Sequence, residues 1–352
     1  MKISEELSRQ MAAMSFICAC LIVGIHSTPS PDVGTWQWWV ANLIGKEGIC
    51  RIAVPWFFLA SGFFLAGHFG EDGWWGREVK KRVRSLVVPF FAWTIIGKTV
   101  GLVIWWGTQL TGHKCGFKFP FDGGILHSIV TLVGLNPFEN IGVVWYLRAL
   151  FLLVVASPLF YWAIKKVGVF APIMLFVGYG VYCTLIYFSN VWDYFMPIRG
   201  IAYFSVGAAL RMGTLNKVLK PNKLLLGATI ACIGGGLLLL KMIAWRKGMV
   251  TMGNMFDFLM VLPLMLIVWN CCKHIRLPRA YVANSFALYL IHSHLLLFSI
   301  VVFVVIGQRD AMNVSILAFA LRWLFAVVVS LALAAMIKRC LPKVAVLLFG
   351  GR

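Results

Sequence analysis

The chain has 352 residues, of which 61% are hydrophobic and 12% charged, with a mean hydropathy of +0.87. Soluble domains carry about 45–50% apolar and about 25% charged residues, which excludes disorder, a nucleic-acid-binding tail protein and an ordinary cytosolic enzyme. The 32 basic against 12 acidic residues give a net charge of +20; in a membrane protein such a surplus reflects Lys and Arg in cytoplasmic loops, not a nucleic-acid partner.

A spanning helix needs about 20 mainly apolar residues. Ten segments meet that criterion: 8–27, 45–67, 86–110, 143–164, 168–188, 198–212, 224–241, 255–272, 281–306 and 314–337. The runs are long and unbroken, unlike the short alternating strands of a β-barrel. The expected fold is therefore all-α, one polytopic membrane domain over 1–352 with about ten transmembrane helices. The first run starts on Glu5 and Glu6, with no small-residue cleavage site after His26, and reads as a span and not a signal peptide. The closing stretch Val344–Phe349 is too short to cross. Nine cysteines lie mostly within apolar runs without zinc-type spacing, and read as small core residues. Trp36, Trp38, Trp39, Trp74 and Trp75 flank spans and suit an interfacial aromatic belt.

Alternate loops differ in charge. One set, holding both termini, 71–85, 165–167, 211–223 and 273–280, carries 20 Lys and Arg, and the opposite set carries nine. This bias predicts both termini in the cytoplasm of a multi-pass protein of the bacterial inner or plasma membrane.

Ionisable groups inside a bilayer are costly and ask for a partner or a function. His26, Lys98, Arg148, His292 and Arg322 fall within spans, and Arg51, Arg199 and Asp257 near outer helix ends. With this topology His26, Arg51, Trp145, Arg148, Arg199 and Asp257 share one depth toward the outer leaflet. A neutral histidine there suits a general base; mutual pairing or snorkelling is the plainer alternative. On the cytoplasmic side, 77–84 packs five basic residues into eight positions. That run fits either a topology signal beside anionic lipid headgroups or a clamp for a phosphorylated ligand, and the residues alone leave both open.

Six stretches in order resemble the acyltransferase family 3 membrane proteins. They are Val23-Gly24-Ile25-His26; Val54-Pro55-Trp56-Phe57-Phe58-Leu59-Ala60-Ser61-Gly62-Phe63; Leu86-Val87-Val88-Pro89-Phe90-Phe91, after the basic loop; Val144-Trp145-Tyr146-Leu147-Arg148; Tyr203-Phe204-Ser205-Val206-Gly207; and Ser285-Phe286-Ala287-Leu288-Tyr289-Leu290-Ile291-His292. Ile25-His26-Ser27 and Arg51-Ile52-Ala53-Val54-Pro55 also resemble the membrane half of serine racemases linked to glycopeptide resistance, without the racemase half. The family resemblance implies transfer of an acyl group, commonly acetyl, from cytoplasmic acyl-CoA to a hydroxyl of a surface carbohydrate or lipid-linked glycan, with acetyl-CoA as donor substrate and no metal.

His26 matches the family's catalytic histidine, and Lys81, Arg82 and Arg84 its cytoplasmic basic motif. Arg148 and Arg51 are candidates for stabilising an oxyanion, and Trp145, Arg199, Asp257 and His292 for lining the acceptor site. The sequence departs from the family at Ser15, where a basic residue is usual eleven positions before the histidine. A second function class, a transporter or flippase of a small or lipid-linked substrate, is also compatible with charged spans.

Overall fold

The computed structural model describes residues 3–112, 124, 126, 129–130, 142–182, 198–214 and 223–351. All regular structure among them is helical, as expected from the apolar runs.

Local chemistry sets the helix ends. α1 (Glu5–Ser27) opens on Ser4, whose hydroxyl accepts from the Leu7 N–H, and Glu5 and Glu6 occupy the electropositive first turn. α2 (Trp36–Ile44) is capped by Thr35, and a 3₁₀ turn, Ile49–Ile52, leads into α3 (Ala53–Leu65). α4 (Trp74–Arg82) carries the basic run and passes through a π-helical turn, Val83–Val87, into α5 (Val88–Thr111). Pro89 falls in the first turn of α5, where a missing N–H breaks no α5 bond. α6 (Trp145–Val155) and α7 (Ser157–Val167) meet at Ala156 with a bend of 54°. Then come α8 (Phe170–Val181), α9 (Ile198–Arg211), α10 (Lys223–Arg246) and α11 (Val250–Cys271). α12 (Ser285–Val305) and α13 (Ile316–Cys340) follow, the latter capped by the Ser315 hydroxyl. Finally α14 (Pro342–Phe349) folds back onto α5, where Trp93 Nε1 donates to the Leu348 carbonyl at 2.9 Å.

Each of the ten expected spans falls on a helix. Among the described residues, six stretches are long and apolar enough to cross a membrane, and the bent pair α6–α7 makes a seventh. α8 and α9 are described over 12 and 14 residues, and residues 183–197 between them, including 183–188 of the fifth expected span, lie outside the described residues.

Two helices pack unusually closely. Gly62 on α3 abuts the Phe204 carbonyl of α9, and Gly207 on α9 abuts the Leu59 carbonyl of α3, so neither position has room for a Cβ. Small residues allow such backbone approach where lipid supplies no hydrophobic drive between helices. α1 lies centrally against α3, α12 and α13, and its Met14, Cys18 and Val23 are fully buried.

Two side-chain expectations hold in part. Trp36 and Trp75 are exposed, at 64% and 43%, whereas Trp38 and Trp74 are buried against neighbouring helices. Cys18, Cys50 and Cys272 are buried, but Cys232, Cys271 and Cys340 are exposed on helix surfaces; Cys115 and Cys183 lie outside the described residues.

Candidate active site

His26 occupies the last turn of α1, with an accessible side chain. Its ring stands 5.3 Å from that of His292, which is fully buried in α12. His292 Nδ1 lies 3.3 Å from the Leu288 carbonyl, while Nε2 has no hydrogen-bond partner among the described residues.

The α1 terminus that carries His26 is pinned by α13. Arg322 Nη1 reaches the Ser27 carbonyl at 3.4 Å, and its Nε donates to Ser299 Oγ at 3.0 Å. A guanidinium at the carbonyl end of a helix meets the negative pole of the helix dipole, a favourable placement. Next to it, Trp323 Nε1 donates to the Cys20 carbonyl at 2.7 Å, and the same indole fills the space a Cβ on Gly24 would need.

Two cavities open toward the end of the bundle that carries the basic run. The larger, about 440 Å³, is lined by Ser8 and Ser15 of α1, Phe57 and Ser61 of α3, Tyr146 of α6 and Tyr289 of α12. Its inner end approaches the histidines, since the Tyr289 ring lies 6.2 Å from that of His292. The smaller, about 350 Å³, is lined by Gly67, His68, Glu78, Lys81, Arg82 and Arg211. Arg82 and Phe64 line both cavities, so the two adjoin at that point.

Lys81 and Arg82 each lie 3.6 Å from the buried Glu78 carboxylate, and Arg82 Nε is buried without a hydrogen-bond partner among the described residues. Arg84, two positions on and so on the opposite side of the helix, is exposed and lines neither cavity. Ser15 donates to the Met11 carbonyl at 2.8 Å and accepts from Trp56 Nε1 at 3.1 Å. On the wall where the family usually has a charge, this chain has a satisfied hydroxyl, and Arg82 supplies the cation of that cavity.

The remaining candidates separate from the histidines. Arg51 Nε donates to both oxygens of Asp257 at 3.0 Å, and Lys241 Nζ bonds Asp257 Oδ1 at 2.7 Å and Glu47 Oε2 at 3.1 Å. Lys241 is 1% exposed. A buried ammonium is tolerable only when paired and hydrogen-bonded, and here two carboxylates and the Glu47 carbonyl serve it. Arg199 donates to the Tyr179 hydroxyl at 3.0 Å and lies close enough to Asp257 to feel its charge. Arg51, Asp257 and Arg199 thus belong to a network that ties α11 to α10 and to the turn before α3. Arg148 is half-buried on α6, one turn after Trp145, whose ring lies 6.4 Å from that of Phe58.

The structure therefore joins His26 with His292, Lys81 with Arg82, and Arg51 with Asp257. Sequence reasoning missed the pairing of Lys241, which it counted among the outer-loop charges, with Glu47, which falls inside the second expected run. It also missed Arg211 and Glu78 in the basic cavity, and the cavity-lining Tyr289, although that residue lay within a quoted motif. Among the described residues, no group of three His, Cys, Asp or Glu side chains is placed to hold a metal ion.

No significant match is found among curated proteins or among solved structures. A family model for the family 3 acyltransferase domain matches residues 13–339, which takes in α1 through nearly all of α13. That is most of the chain, and the protein is a multi-pass membrane member of the family 3 acyltransferases.

Proposed function

We propose that the protein moves an acyl group, acetyl in the simplest case, from acyl-CoA to a hydroxyl of a cell-surface carbohydrate or lipid-linked glycan. One observation carries this reading. A basic cavity, an adjoining aromatic cavity and a histidine pair succeed one another across the bundle. Such an order suits a donor with an anionic nucleotide, a long slender arm and a reactive thioester at its tip. Lys81, Arg82 and Arg211 would meet the phosphates, where arginine binds bidentately. The arm would pass Arg82 and Phe64 into the larger cavity.

At the far end His26, in its neutral form, takes the proton of the acceptor hydroxyl as its oxygen attacks the thioester carbonyl. The tetrahedral intermediate collapses, the carbon–sulfur bond breaks, and the proton passes from His26 to the departing thiolate. Products are the ester and free coenzyme A. In this reading both termini and the 71–85 loop face the cytoplasm of a bacterial plasma membrane, where acyl-CoA is made, and the acceptor arrives from the opposite side. Mass spectrometry of surface glycans and lipids, with and without the protein, tests the reading. Loss of one ester-linked acyl group on deletion is expected, and identical spectra would refute it.

A further inference from the structure

We infer that Phe57, Tyr146 and Tyr289 form a collar that sets the length of the transferred acyl chain, admitting short unbranched groups and excluding long ones. This rests on the acyltransferase reading above and adds the part of the site that chooses the donor.

The three rings come from three helices and all line the larger cavity. The Phe57 and Tyr146 centroids are 6.2 Å apart, those of Tyr146 and Tyr289 are 5.9 Å apart, and Tyr289 is 6.2 Å from His292. Phe57 also packs on the layer formed by Ala19 and Val23 of α1 and Leu288 of α12. Val23 lies one turn before His26, so the collar occupies the level between the cavity and the histidines.

Its rings are fixed by polar ties as well as by packing. The Tyr289 hydroxyl donates to the Val143 carbonyl, and the Tyr146 and Ser61 hydroxyls lie 3.4 Å apart. Widening the opening therefore means breaking hydrogen bonds in a low-dielectric interior, where an unpaired group is expensive. Beyond the collar lie the fully buried His292 and, at the end of α1, the Arg322 bridge between Ser27 and Ser299, which leave little room. An acyl tail enters ahead of its thioester. Each added methylene must find room in this bounded space or hold the carbonyl back from His26. One methylene in a confined apolar pocket changes selectivity by roughly 10–200-fold, enough for three rings to discriminate sharply.

The test uses inside-out membrane vesicles from cells producing the full chain, which carry the native acceptor. They are supplied with labelled acetyl-, butyryl- and octanoyl-CoA, and incorporation of label is measured. Wild type should prefer acetyl over octanoyl by at least about a hundredfold. Phe57→Ala should reduce that ratio by about tenfold or more, with Phe57→Leu between the two. Phe57→Leu retains most of the apolar volume and keeps the test valid should the alanine variant not accumulate. Ratios within twofold of wild type in the variants that accumulate, or equal use of all three thioesters by wild type, would overturn the collar while leaving acyl transfer intact. No incorporation from any thioester would instead refute the acyltransferase reading, and the collar with it.

Discussion

His26 and His292 come from opposite ends of the chain, yet their rings stand 5.3 Å apart. One is accessible, and the other is fully buried with an Nε2 that has no hydrogen-bond partner among the described residues. The accessible ring can meet a hydroxyl, and the buried ring backs it without competing for the acceptor. His26→Ala should lower acyl transfer by at least about 10²-fold, while the gel-filtration profile in detergent stays that of wild type. A residual rate above about a tenth of wild type would remove His26 from the role of base.

Arg82 and Arg84 should behave differently, although they share one motif. Arg82 lines both cavities, and Arg84 neither. Charged hydrogen bonds are worth roughly 1.5–3 kcal/mol, so Arg82→Lys, which keeps the charge but loses the planar fork, should weaken coenzyme A binding about tenfold or more. Arg84→Lys should leave binding unchanged. Titration calorimetry on the two single variants separates a phosphate clamp from a topology signal, which would tolerate both changes.

Lys241→Met should destabilise the protein by about 3–5 kcal/mol, the usual cost of stranding a buried charge. Asp257 would keep Arg51, but Glu47 would lose its only described cationic contact within 4.0 Å. Adding Glu47→Gln to Lys241→Met removes the stranded carboxylate and should recover part of the loss. Thermal unfolding in detergent reads both. A melting curve for Lys241→Met that matches wild type would show that the network contributes nothing to stability.

The basic loop should be reachable from the cytoplasm alone. Gly76 has open space where a Cβ would project, so Gly76→Cys introduces a probe without disturbing α4. With exposed Cys232, Cys271 and Cys340 replaced by serine, a membrane-impermeant maleimide should label this site in inside-out vesicles and not in intact cells. Cys115 should show the reverse. Labelling of Gly76→Cys from outside would invert the orientation.

Much of this architecture was legible in the sequence, because a bilayer leaves little choice. Unbroken apolar runs must become helices, and each expected segment carries a described helix, although six or seven described stretches and not ten are long enough to cross. The shortness of the sixth run, now α9, was legible, whereas the bend at Ala156 was not, since apolar content gives no signal for a break inside a run. The site divides in the same way. His26, His292 and the basic run stand out as charges or histidines in or beside spans, and the first two do meet. Lys241 looked like a loop residue and Glu47 drew no attention inside its run, and only tertiary packing buries them together. Arg51 and Asp257 were expected at one depth, with mutual pairing as the plainer alternative to a substrate role, and they do pair; depth alone cannot distinguish a residue that faces a substrate from one that faces its counter-ion.

The glycine seam between α3 and α9 has a mechanical consequence. With Gly62 seated on the Phe204 carbonyl and Gly207 on the Leu59 carbonyl, the two backbones interlock and cannot slide past each other without collision. Phe57 and Ser61 ride on that locked pair, whereas Tyr146 and Tyr289 belong to α6 and α12, outside it. The collar is therefore held on every side, Phe57 through the locked backbones and the tyrosines through their hydroxyl contacts, and a thioester has to fit it as it stands.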